Sequence, residues 1–378
     1  MTSPQRPTDL VPYQDWSRWG RTGEGEPLPA ERRALIKQVL GAESEGAPIV
    51  PLDQMKLPPT QLSDKQLADL ASVVGSEHVE SDDAARLIHS IGRSTMDLLR
   101  ARSGEVSAAP DAIVLPGSHE EVEALLTTCS EQKIAVVPFG GGSSVVGGLD
   151  AIAGDCAAVI SLDLRRLDRM INFDPVSQTA TLEAGLRGPE AEALLAAHGF
   201  ILGHYPQSFP YATIGGFAAT RSSGQASAGY GRFDSMVVAL KVATPTGTLE
   251  LGRSPMNAAG PDLRQLMLGS EGIFGVITEV TVRVHPAPTE RVFESWTFPS
   301  FTAGAEGLRQ VAQHDSGPTV IRLSDEAETA VSLAQLGKIG KALSKGASVV
   351  TVYEGAGARA SEEIAQRERR AALWRLFV

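Results

Sequence analysis

A glycine-rich segment, Pro138–Gly148, carries the clearest chemistry in the sequence, since it has the sequence PFGGGSSVVGG directly after an apolar run. The three glycines Gly140–Gly142 have no Cβ, so several backbone N–H groups there can point at one spot and form a concave anion site. Ser143 and Ser144 add hydroxyl donors beside them. The segment therefore predicts a diphosphate site, with a purely structural glycine turn as the alternative that spacing alone leaves open.

Two common phosphate-binding motifs can be compared with the sequence of this segment. Gly142 and Gly147 have the spacing of the P-loop glycines, but Gly148 follows where a P-loop has the lysine that contacts the terminal phosphates. The dinucleotide pattern GxGxxG also fails, because counting from Gly140 puts Val145 at the position of the third glycine. The sequence therefore favours neither an ordinary nucleoside triphosphatase nor a Rossmann dehydrogenase.

Two further segments combine small residues with polar side chains. The first covers residues 204–224 and contains HYPQS, ATIGG and TRSSG, and the second is Gly269–Ile277, with the sequence GSEGIFGVI. Small residues let a flat ring lie against the backbone, and Thr213, Ser222 and Ser223 can donate and accept hydrogen bonds. Taken singly, each of these segments is also consistent with ordinary turn chemistry.

Together and in this order, the three segments resemble the FAD-binding domain of the vanillyl-alcohol oxidase superfamily, which has the PCMH-type fold. The closer similarity is to the alkyldihydroxyacetonephosphate synthase family and its bacterial relatives. That group carries the Arg-Ser/Ala-Ser-Gly form seen at Arg221–Gly224, where the glycolate oxidase type has Asn-Ala-Gly-Gly. Trp16–Gly20 and Ile321–Asp325 also resemble the synthase group, so the similarity covers nearly the whole chain.

This resemblance implies a set of residues that hold FAD non-covalently. It assigns the pyrophosphate to the first segment, the isoalloxazine ring and ribityl chain to the second, and the adenosine side to the third. Gln207 and Pro210 depart from the acidic residue and the Glu that are usual at these positions. His204 is expected to form hydrogen bonds rather than to anchor the flavin covalently. The implied cofactor-binding residues are Pro138, Phe139, Gly140, Gly141, Gly142, Ser143, Ser144, Gln207, Ser208, Phe209, Tyr211, Ala212, Thr213, Thr220, Arg221, Ser222, Ser223, Glu271, Gly272, Ile273, Phe274, Gly275, Val276 and Ile277.

The resemblance also implies a reaction, in which the acyl group of acyl-dihydroxyacetone phosphate is exchanged for a fatty alcohol through an adduct at flavin N5. In that family a Tyr and a histidine cluster near the C terminus act in catalysis, and this chain has no His-His-His run. Its catalytic residues are therefore left unassigned. Arg322 is a candidate contact to an anionic substrate, with a surface ion pair as the alternative.

Two other functions stay open at this point. Relatives with these motifs vary in substrate, so the chain is also a candidate FAD-dependent oxidoreductase acting on a 2-hydroxy acid or an alcohol. The third alternative is an inactive flavin-binding fragment, since the predicted last helix, Glu362–Phe377, leaves an apolar, uncapped end. We therefore expect the chain to be truncated at its C terminus.

Elements that position these segments can be read from the pattern of apolar residues. Ala112–Leu115, Ser118–Cys129 and Ile134–Pro138 predict a strand, a helix and a strand, which is a β-α-β unit with a parallel pair. After Pro286 and Pro288 the pattern changes to that of half an α+β domain. Together with this pattern, the resemblance implies an α+β protein with a PCMH-type, two-subdomain FAD-binding domain and part of a cap. The predicted boundaries are an N-terminal arm and helical segment at 1–104, the FAD-binding domain at 105–287 and the partial cap at 288–378.

Composition limits the partners and the compartment. The formal net charge is −11, which gives the chain no general attraction to nucleic acid. Cys129 and Cys156 have no metal-ligand spacing, and the N-terminal residues do not form a signal peptide, so we expect a cytoplasmic protein. A small-molecule or lipid substrate is expected, while peripheral membrane contact and a homodimer are left open.

Overall fold

A computed structural model describes residues 13–21, 29–30, 33–34, 37, 41, 49–252, 254, 258–313, 317–333 and 346–371. In the described residues, three sheets of three or more strands follow one another along the chain with their own helices, and each of these sheets has an apolar core of its own. The sequence also predicts a helix over Pro29–Leu40, and most of this range lies outside the described residues, as do the last seven residues of the chain.

The first subdomain is built on a four-stranded sheet. In spatial order its strands are β1 (Val79–Glu80), β2 (Ala112–Val114), β4 (Ala158–Asp163) and β3 (Ile134–Phe139). Its helices are α1 (Asp64–Val74), α2 (Asp83–Ile88), α3 (Thr95–Arg102) and α4 (His119–Gln132). Strands β2 and β3 both pair parallel with β4, and α4 is the crossover between them, so the β-α-β unit is present. Ser118 begins α4, because its hydroxyl accepts from the Glu121 N–H.

The second subdomain is an antiparallel sheet with short helices on it. In spatial order its strands are β5 (Met170–Asp174), β6 (Thr179–Glu183), β10 (Val276–Arg283), β8 (Val237–Thr244) and β9 (Gly247–Leu251). The helices are α5 (Gly188–Ala196), α6 (Ile214–Ala219), α7 (Ser227–Tyr230), α8 (Phe233–Met236) and α9 (Arg264–Met267), and β7 (Phe200–Ile201) pairs with β11 (His285–Pro286). The sequence predicts neither β5 nor α6.

The cap follows as a three-stranded antiparallel sheet. Its strands, in spatial order, are β12 (Glu290–Phe298), β14 (Ala347–Gly355) and β13 (Val320–Ser324), and its helices are α10 (Phe301–Gln313), α11 (Glu326–Leu333) and α12 (Ala360–Ala371). Helices cover one face, where Phe298, Val349 and Tyr353 are fully buried. Exposure along β12 alternates with a period of two, as expected for a strand buried on one face only.

The two subdomains share part of their packing. Ala184, Ala243 and Val276 belong to the second subdomain but lie in the apolar core of the first. Their contact leaves the end of β3, the start of α6 and the start of β10 close to one another. None of the helices in the described part of the chain is long and apolar enough to cross a membrane.

Candidate functional site

A cleft of about 380 Å³ lies between the two subdomains. One wall is the loop after β3, the second is formed by Ala212–Thr213 and α6, and the third is the segment that leads into β10. A volume of this size falls within the usual range for small-molecule and cofactor pockets. The three predicted segments, far apart in sequence, are therefore brought to one place.

Backbone N–H groups in the first wall are free to bind an anion. Within the part of the chain that the structure describes, the N–H groups of Gly141–Ser144 donate to no protein acceptor. Unpaired N–H groups grouped in a loop form an anion-binding concavity. Among the described residues that line the cleft, Glu271 alone carries a charged side chain, so a diphosphate there would be held by N–H groups and hydroxyls rather than by a lysine or arginine.

The glycines of this loop are needed for contact between the two subdomains. A Cβ on Gly140 would lie 2.4 Å from Thr213 Oγ1, and a Cβ on Gly141 would lie 2.0 Å from the backbone oxygen of Tyr211. Gly142 has a φ of +66°, a conformation that residues with a Cβ rarely adopt. The glycines therefore bring the loop against the second wall as well as freeing its N–H groups.

The second wall is fixed by a helix cap. Thr213 precedes α6, and its hydroxyl accepts from the Gly216 N–H at 3.2 Å. Gly215 packs against Ala184, where a Cβ on the glycine would lie 2.7 Å from the alanine Cβ. The small residues of this wall therefore let the helix lie directly against the sheet.

Behind Ser222, which lines the cleft, lies a buried histidine. His204 Nε2 and Ser222 Oγ are 3.0 Å apart, and the imidazole lies against the rings of Phe217 and Phe233. Burial lowers the pKa of His204 to about 4, so the ring is neutral near pH 7. Its Nδ1 atom has no hydrogen-bond partner among the described residues. The histidine is thus placed to orient the Ser222 hydroxyl, in agreement with the predicted hydrogen-bonding role.

Two residues with positive φ shape the third wall. Glu271 has a φ of +50°, and its N–H donates to the Ala219 carbonyl at 3.1 Å, which ties this wall to the end of α6. Gly272 has a φ of +92° and lies against Pro138, where a Cβ would be 2.8 Å from the proline Cγ. The third wall therefore closes on the first at the start of the glycine loop.

Most of the predicted cofactor-binding residues line this cleft. Those that do so are Pro138, Phe139, Gly140, Gly141, Gly142, Ser143, Ser144, Ser208, Ala212, Thr213, Thr220, Ser222, Glu271, Gly272, Gly275, Val276 and Ile277. Further lining residues that the sequence prediction omitted are Val145, Val146, Gly148, Leu149, Leu164, Gly215, Gly216, Phe217 and Ala219. Many of these omitted residues lie inside or beside the three motifs, so longer segments would have included them.

Other predicted residues lie next to the cleft without lining it. Phe209 packs on Gly188, and the Arg221 side chain donates to the carbonyls of Leu268 and Gln265. The full set is Gln207, Phe209, Tyr211, Arg221, Ser223, Ile273 and Phe274. Their contacts to the cofactor stay predictions.

Arg322 lies in the cap, on β13, and does not line the cleft. Its side chain is 57% exposed and its Nη2 atom forms an ion pair with Glu328. This is the contact that the ion-pair alternative expects. A role in binding an anionic substrate stays a prediction.

Comparisons with known proteins agree with this geometry. Two protein-family models match in succession, the "FAD binding domain" over residues 110–252 and the "FAD linked oxidases, C-terminal domain" over residues 287–375. A solved structure of an alkyldihydroxyacetonephosphate synthase is 30% identical, with a TM-score of 0.85 over 95% of this chain and 71% of its own. The chain belongs to the PCMH-type family of FAD-binding enzymes. The predicted α+β fold and FAD as the cofactor are thereby confirmed.

Curated members of this family differ in what their names say they do. The alkyldihydroxyacetonephosphate synthase of Dictyostelium discoideum is 33% identical over 357 residues, which cover 88% of this chain and 58% of that protein. The mitochondrial D-lactate dehydrogenase (cytochrome) of Arabidopsis thaliana is 35% identical over 199 residues, which cover 52% of this chain and 34% of its own. The chain therefore spans little more than half of the synthase and about a third of the dehydrogenase.

Proposed function

We propose that this protein is a FAD-dependent transferase of the alkyldihydroxyacetonephosphate synthase type, which exchanges the acyl group of acyl-dihydroxyacetone phosphate for a fatty alcohol. The observation that carries the proposal is the likeness to the solved synthase, which extends over 95% of this chain and so includes the cap as well as the cleft. The substrate would be a lipid with an anionic head group.

Residues of this chain would bind and orient the cofactor for that reaction. Bound FAD would supply the flavin ring at which the substrate reacts. The N–H groups of Gly141–Ser144 would hold its pyrophosphate, and the side chains of Thr213 and Ser222 would offer hydrogen bonds to polar atoms of the flavin. His204 would keep the Ser222 hydroxyl in one orientation. We assign no proton transfer to any described residue.

An exchange assay would test the transferase proposal. FAD-loaded protein is incubated with acyl-dihydroxyacetone phosphate and a radiolabelled fatty alcohol, under anaerobic conditions. We expect label in an alkyl product, release of one fatty acid for each alkyl chain incorporated, and an oxidised-flavin absorbance band that is at its starting level once the exchange is complete, because the reaction has no net redox change. Release of the fatty acid without incorporation of the alcohol would contradict the proposal.

A second candidate function is oxidation of a 2-hydroxy acid, which is favoured by the 35% identity to the D-lactate dehydrogenase and by the match to the oxidase C-terminal family. An oxidoreductase of this kind would lose its flavin absorbance when a D-2-hydroxy acid is added without oxygen, because the substrate reduces the flavin. Bleaching without alkyl exchange would therefore select this candidate. FAD binding with neither activity would favour a non-catalytic flavin-binding fragment.

A further inference from the structure

The N-terminal segment Tyr13–Arg21, here called the arm, contacts the glycine loop, Gly140–Ser144, although the two are far apart in the sequence. Gln14 donates from Nε2 to the backbone oxygen of Gly141 at 2.8 Å, across 127 positions of sequence, and its side chain is buried. A hydrogen bond to this carbonyl has a consequence for the next residue. Because a trans peptide points its C=O and N–H in opposite directions, holding the Gly141 carbonyl toward the arm turns the Gly142 N–H to the other side, where it donates to no acceptor in the described part of the chain.

The Ser144–Val145 peptide is held in the same manner. The backbone N–H of Arg93 donates to the Ser144 oxygen at 2.6 Å, which turns the Val145 N–H to the opposite side. The arm also contacts this second support, since Arg93 Nη1 donates to the Trp16 carbonyl at 3.4 Å. The arm therefore orients the Gly141–Gly142 peptide directly, and Arg93, which the arm contacts, orients the Ser144–Val145 peptide.

Tyr13 packs near the start of the glycine loop. Its hydroxyl donates to Asp163 Oδ2 at 3.1 Å, and the Arg165 guanidinium lies 3.3 Å from the centre of its ring. The ring also lies at an edge-on angle to Phe139, with 6.5 Å between centroids. Phe139 in turn lies against Gly142, where a Cβ would be 2.8 Å from the phenylalanine Cζ. Tyr13 therefore supports the loop through the side chain on which Gly142 rests.

The far end of the arm contacts Tyr211, the residue that precedes the second wall of the cleft. The ring of Trp19 lies 6.2 Å from that of Tyr211, and Gly20 lies close to the Tyr211 hydroxyl. Tyr211 is the residue whose backbone oxygen abuts Gly141. The arm thus spans both sides of the contact that closes the cleft.

Internal bonds keep the arm in one conformation. The Asp15 N–H donates to the Gly20 carbonyl at 2.7 Å, and Gln14 and Arg21 form an antiparallel bridge. Arg102 Nε donates to the Ser17 carbonyl at 2.7 Å, and Trp16 packs against an apolar cluster that contains Leu87. A segment fixed in this way can hold the loop at little further entropic cost when the cofactor binds.

We propose that the arm holds the glycine loop of the FAD site in its binding conformation. Gln14 is the positioning residue, which orients the Gly142 N–H for the pyrophosphate. In the free protein the loop is then already arranged for a diphosphate, and FAD binding does not have to organise it. The inference depends on FAD as the cofactor and is independent of which reaction the protein catalyses.

Gln14→Met tests the proposal, because it removes the amide donor and keeps a side chain of similar length. Fluorescence titration of the apoprotein gives the FAD dissociation constant, stopped-flow gives the release rate, and thermal unfolding gives the melting temperature of the apoprotein. We expect roughly three- to tenfold weaker FAD binding and faster release, as loss of one hydrogen bond implies. The melting temperature of the apoprotein should change by no more than about 2 °C. Gln14→Glu should weaken FAD binding further, because a carboxylate would then face the Gly141 carbonyl.

Matched controls separate positioning from folding. Gln61 donates from Nε2 to the Pro59 carbonyl at 3.1 Å on the surface, so Gln61→Met removes the same kind of bond outside the cleft. Gln132 on α4 donates from Nε2 to Asp69 Oδ2 on α1 at 2.8 Å, so Gln132→Met removes a part-buried bond away from the cleft. Neither control should alter FAD binding. Trp19→Ala, at a side chain 41% exposed, should speed FAD release and serves as the second variant if Gln14→Met folds poorly.

Unchanged FAD binding and release in Gln14→Met, or in Trp19→Ala where that variant has to be used, would overturn the proposal. A lower melting temperature of the apoprotein with an unchanged dissociation constant would overturn it too, because it would show a structural role only. A negative alkyl-exchange assay would not contradict the proposal about the arm, because that proposal concerns FAD binding only. A wild-type protein that does not bind FAD would overturn it.

Discussion

Among the glycines of the glycine loop, Gly141 has the closest neighbouring atoms around the position of a Cβ. Its missing Cβ would lie 2.0 Å from the backbone oxygen of Tyr211 and 2.6 Å from the carbonyl carbon, and backbone atoms cannot rotate out of the way as a side chain can. We expect Gly141→Ala to weaken FAD binding at least tenfold, because the loop must move off the second wall. Overpacking of this kind costs about 1–3 kcal/mol of unfolding free energy. Flavin fluorescence titration and urea unfolding measure the two effects.

Gly199→Ala is the control for this prediction. Gly199 has a φ of +77°, and no atom lies within 4 Å of the position that a Cβ would take, so the substitution strains the backbone without a clash. The expected cost is about 1 kcal/mol of unfolding free energy, with no change in the FAD dissociation constant. Equal losses of FAD binding in both variants would show that general destabilisation, and not the loop contact, weakens the cofactor.

His204 predicts a pH dependence of stability. Burial lowers its pKa to about 4 in the folded protein, whereas an unfolded histidine titrates near 6.5. Between these two values the unfolded chain binds more protons, so the unfolding free energy falls as the pH is lowered through this window. The full difference corresponds to roughly 3 kcal/mol. His204→Gln should flatten the slope, measured by urea unfolding at several pH values from 4 to 7.

Part of the slope should remain in that variant. His119 and His285 also have lowered pKa values, in both cases first because of burial, so they add to the same acid destabilisation. A slope that is identical in the wild type and in His204→Gln would contradict the assignment. FAD binding by His204→Gln at pH 7 reports separately on the Ser222 contact.

At the scale of single residues, the sequence predicts the loop well and its supports poorly. Gly140–Gly142 are recognisable because three adjacent residues lack a Cβ, and the loop indeed lines the cleft. Gln14 and Arg93 carry no comparable signal, because an isolated polar residue can bond to any nearby carbonyl. Their role follows from the fold, which brings them to Gly141 and Ser144.

Among the elements, α6 shows why the secondary structure of a segment rich in predicted site residues can be hard to predict from the sequence. Gly215 and Gly216 are poor helix formers, so intrinsic propensity argues against a helix there. The helix forms because Thr213 caps it and because Gly215 permits close packing on Ala184. Both causes depend on context, whereas Ser118–Cys129 has a cap and helix formers of its own and could be predicted.

Helix α7 connects the second subdomain to the cap. The Tyr230 hydroxyl donates to Glu354 Oε2 on β14 at 2.7 Å, and Arg291 pairs with the other oxygen of the same carboxylate. Tyr230→Phe should cost about 1 kcal/mol of unfolding free energy, because Glu354 keeps one of its two partners. Amide hydrogen exchange should rise in β12 and β14, which the bond holds against the subdomain.

Thr181→Val is a control for that prediction. The Thr181 and Thr281 hydroxyls lie 2.9 Å apart and form a hydrogen bond between β6 and β10, so the substitution removes one side-chain hydrogen bond within the second subdomain. Exchange in β14 should then stay at the wild-type level. If the two variants gave the same exchange pattern, the Tyr230–Glu354 contact would have no special part in holding the cap.

For the molecule as a whole, the sequence predicts the order of the parts but not their pairing. The change at Pro286 and Pro288 marks where the cap begins, and the succession of predicted strands and helices favours an α+β fold. The cap strands pair in the order β12, β14, β13, so the last strand along the chain lies in the middle. Such long-range pairing depends on the joint packing of Val292, Val349 and Ile321 around one core, which local patterns do not encode.

FAD should stabilise the two subdomains together, because its cleft is formed by both of them and the described lining includes no residue of the cap. At a free FAD concentration of about 100 times the dissociation constant, the unfolding free energy should rise by about 2.7 kcal/mol. Hydrogen exchange should slow in the glycine loop, in α6 and at the start of β10. Exchange in β12 and β14 should change little.

Riboflavin separates the contributions of the two ends of the cofactor. It has the flavin ring and the ribityl chain but no pyrophosphate, so it can contact Ser222 and Thr213 and has nothing to offer the N–H groups of Gly141–Ser144. We expect it to slow exchange in α6 and to leave the glycine loop as it is in the free protein. Gly141→Ala should lose most of the stabilisation by FAD, while keeping whatever stabilisation riboflavin provides. Equal protection of the loop by riboflavin and FAD would mean that the loop does not hold the pyrophosphate, and that its glycines serve only the contact between the subdomains.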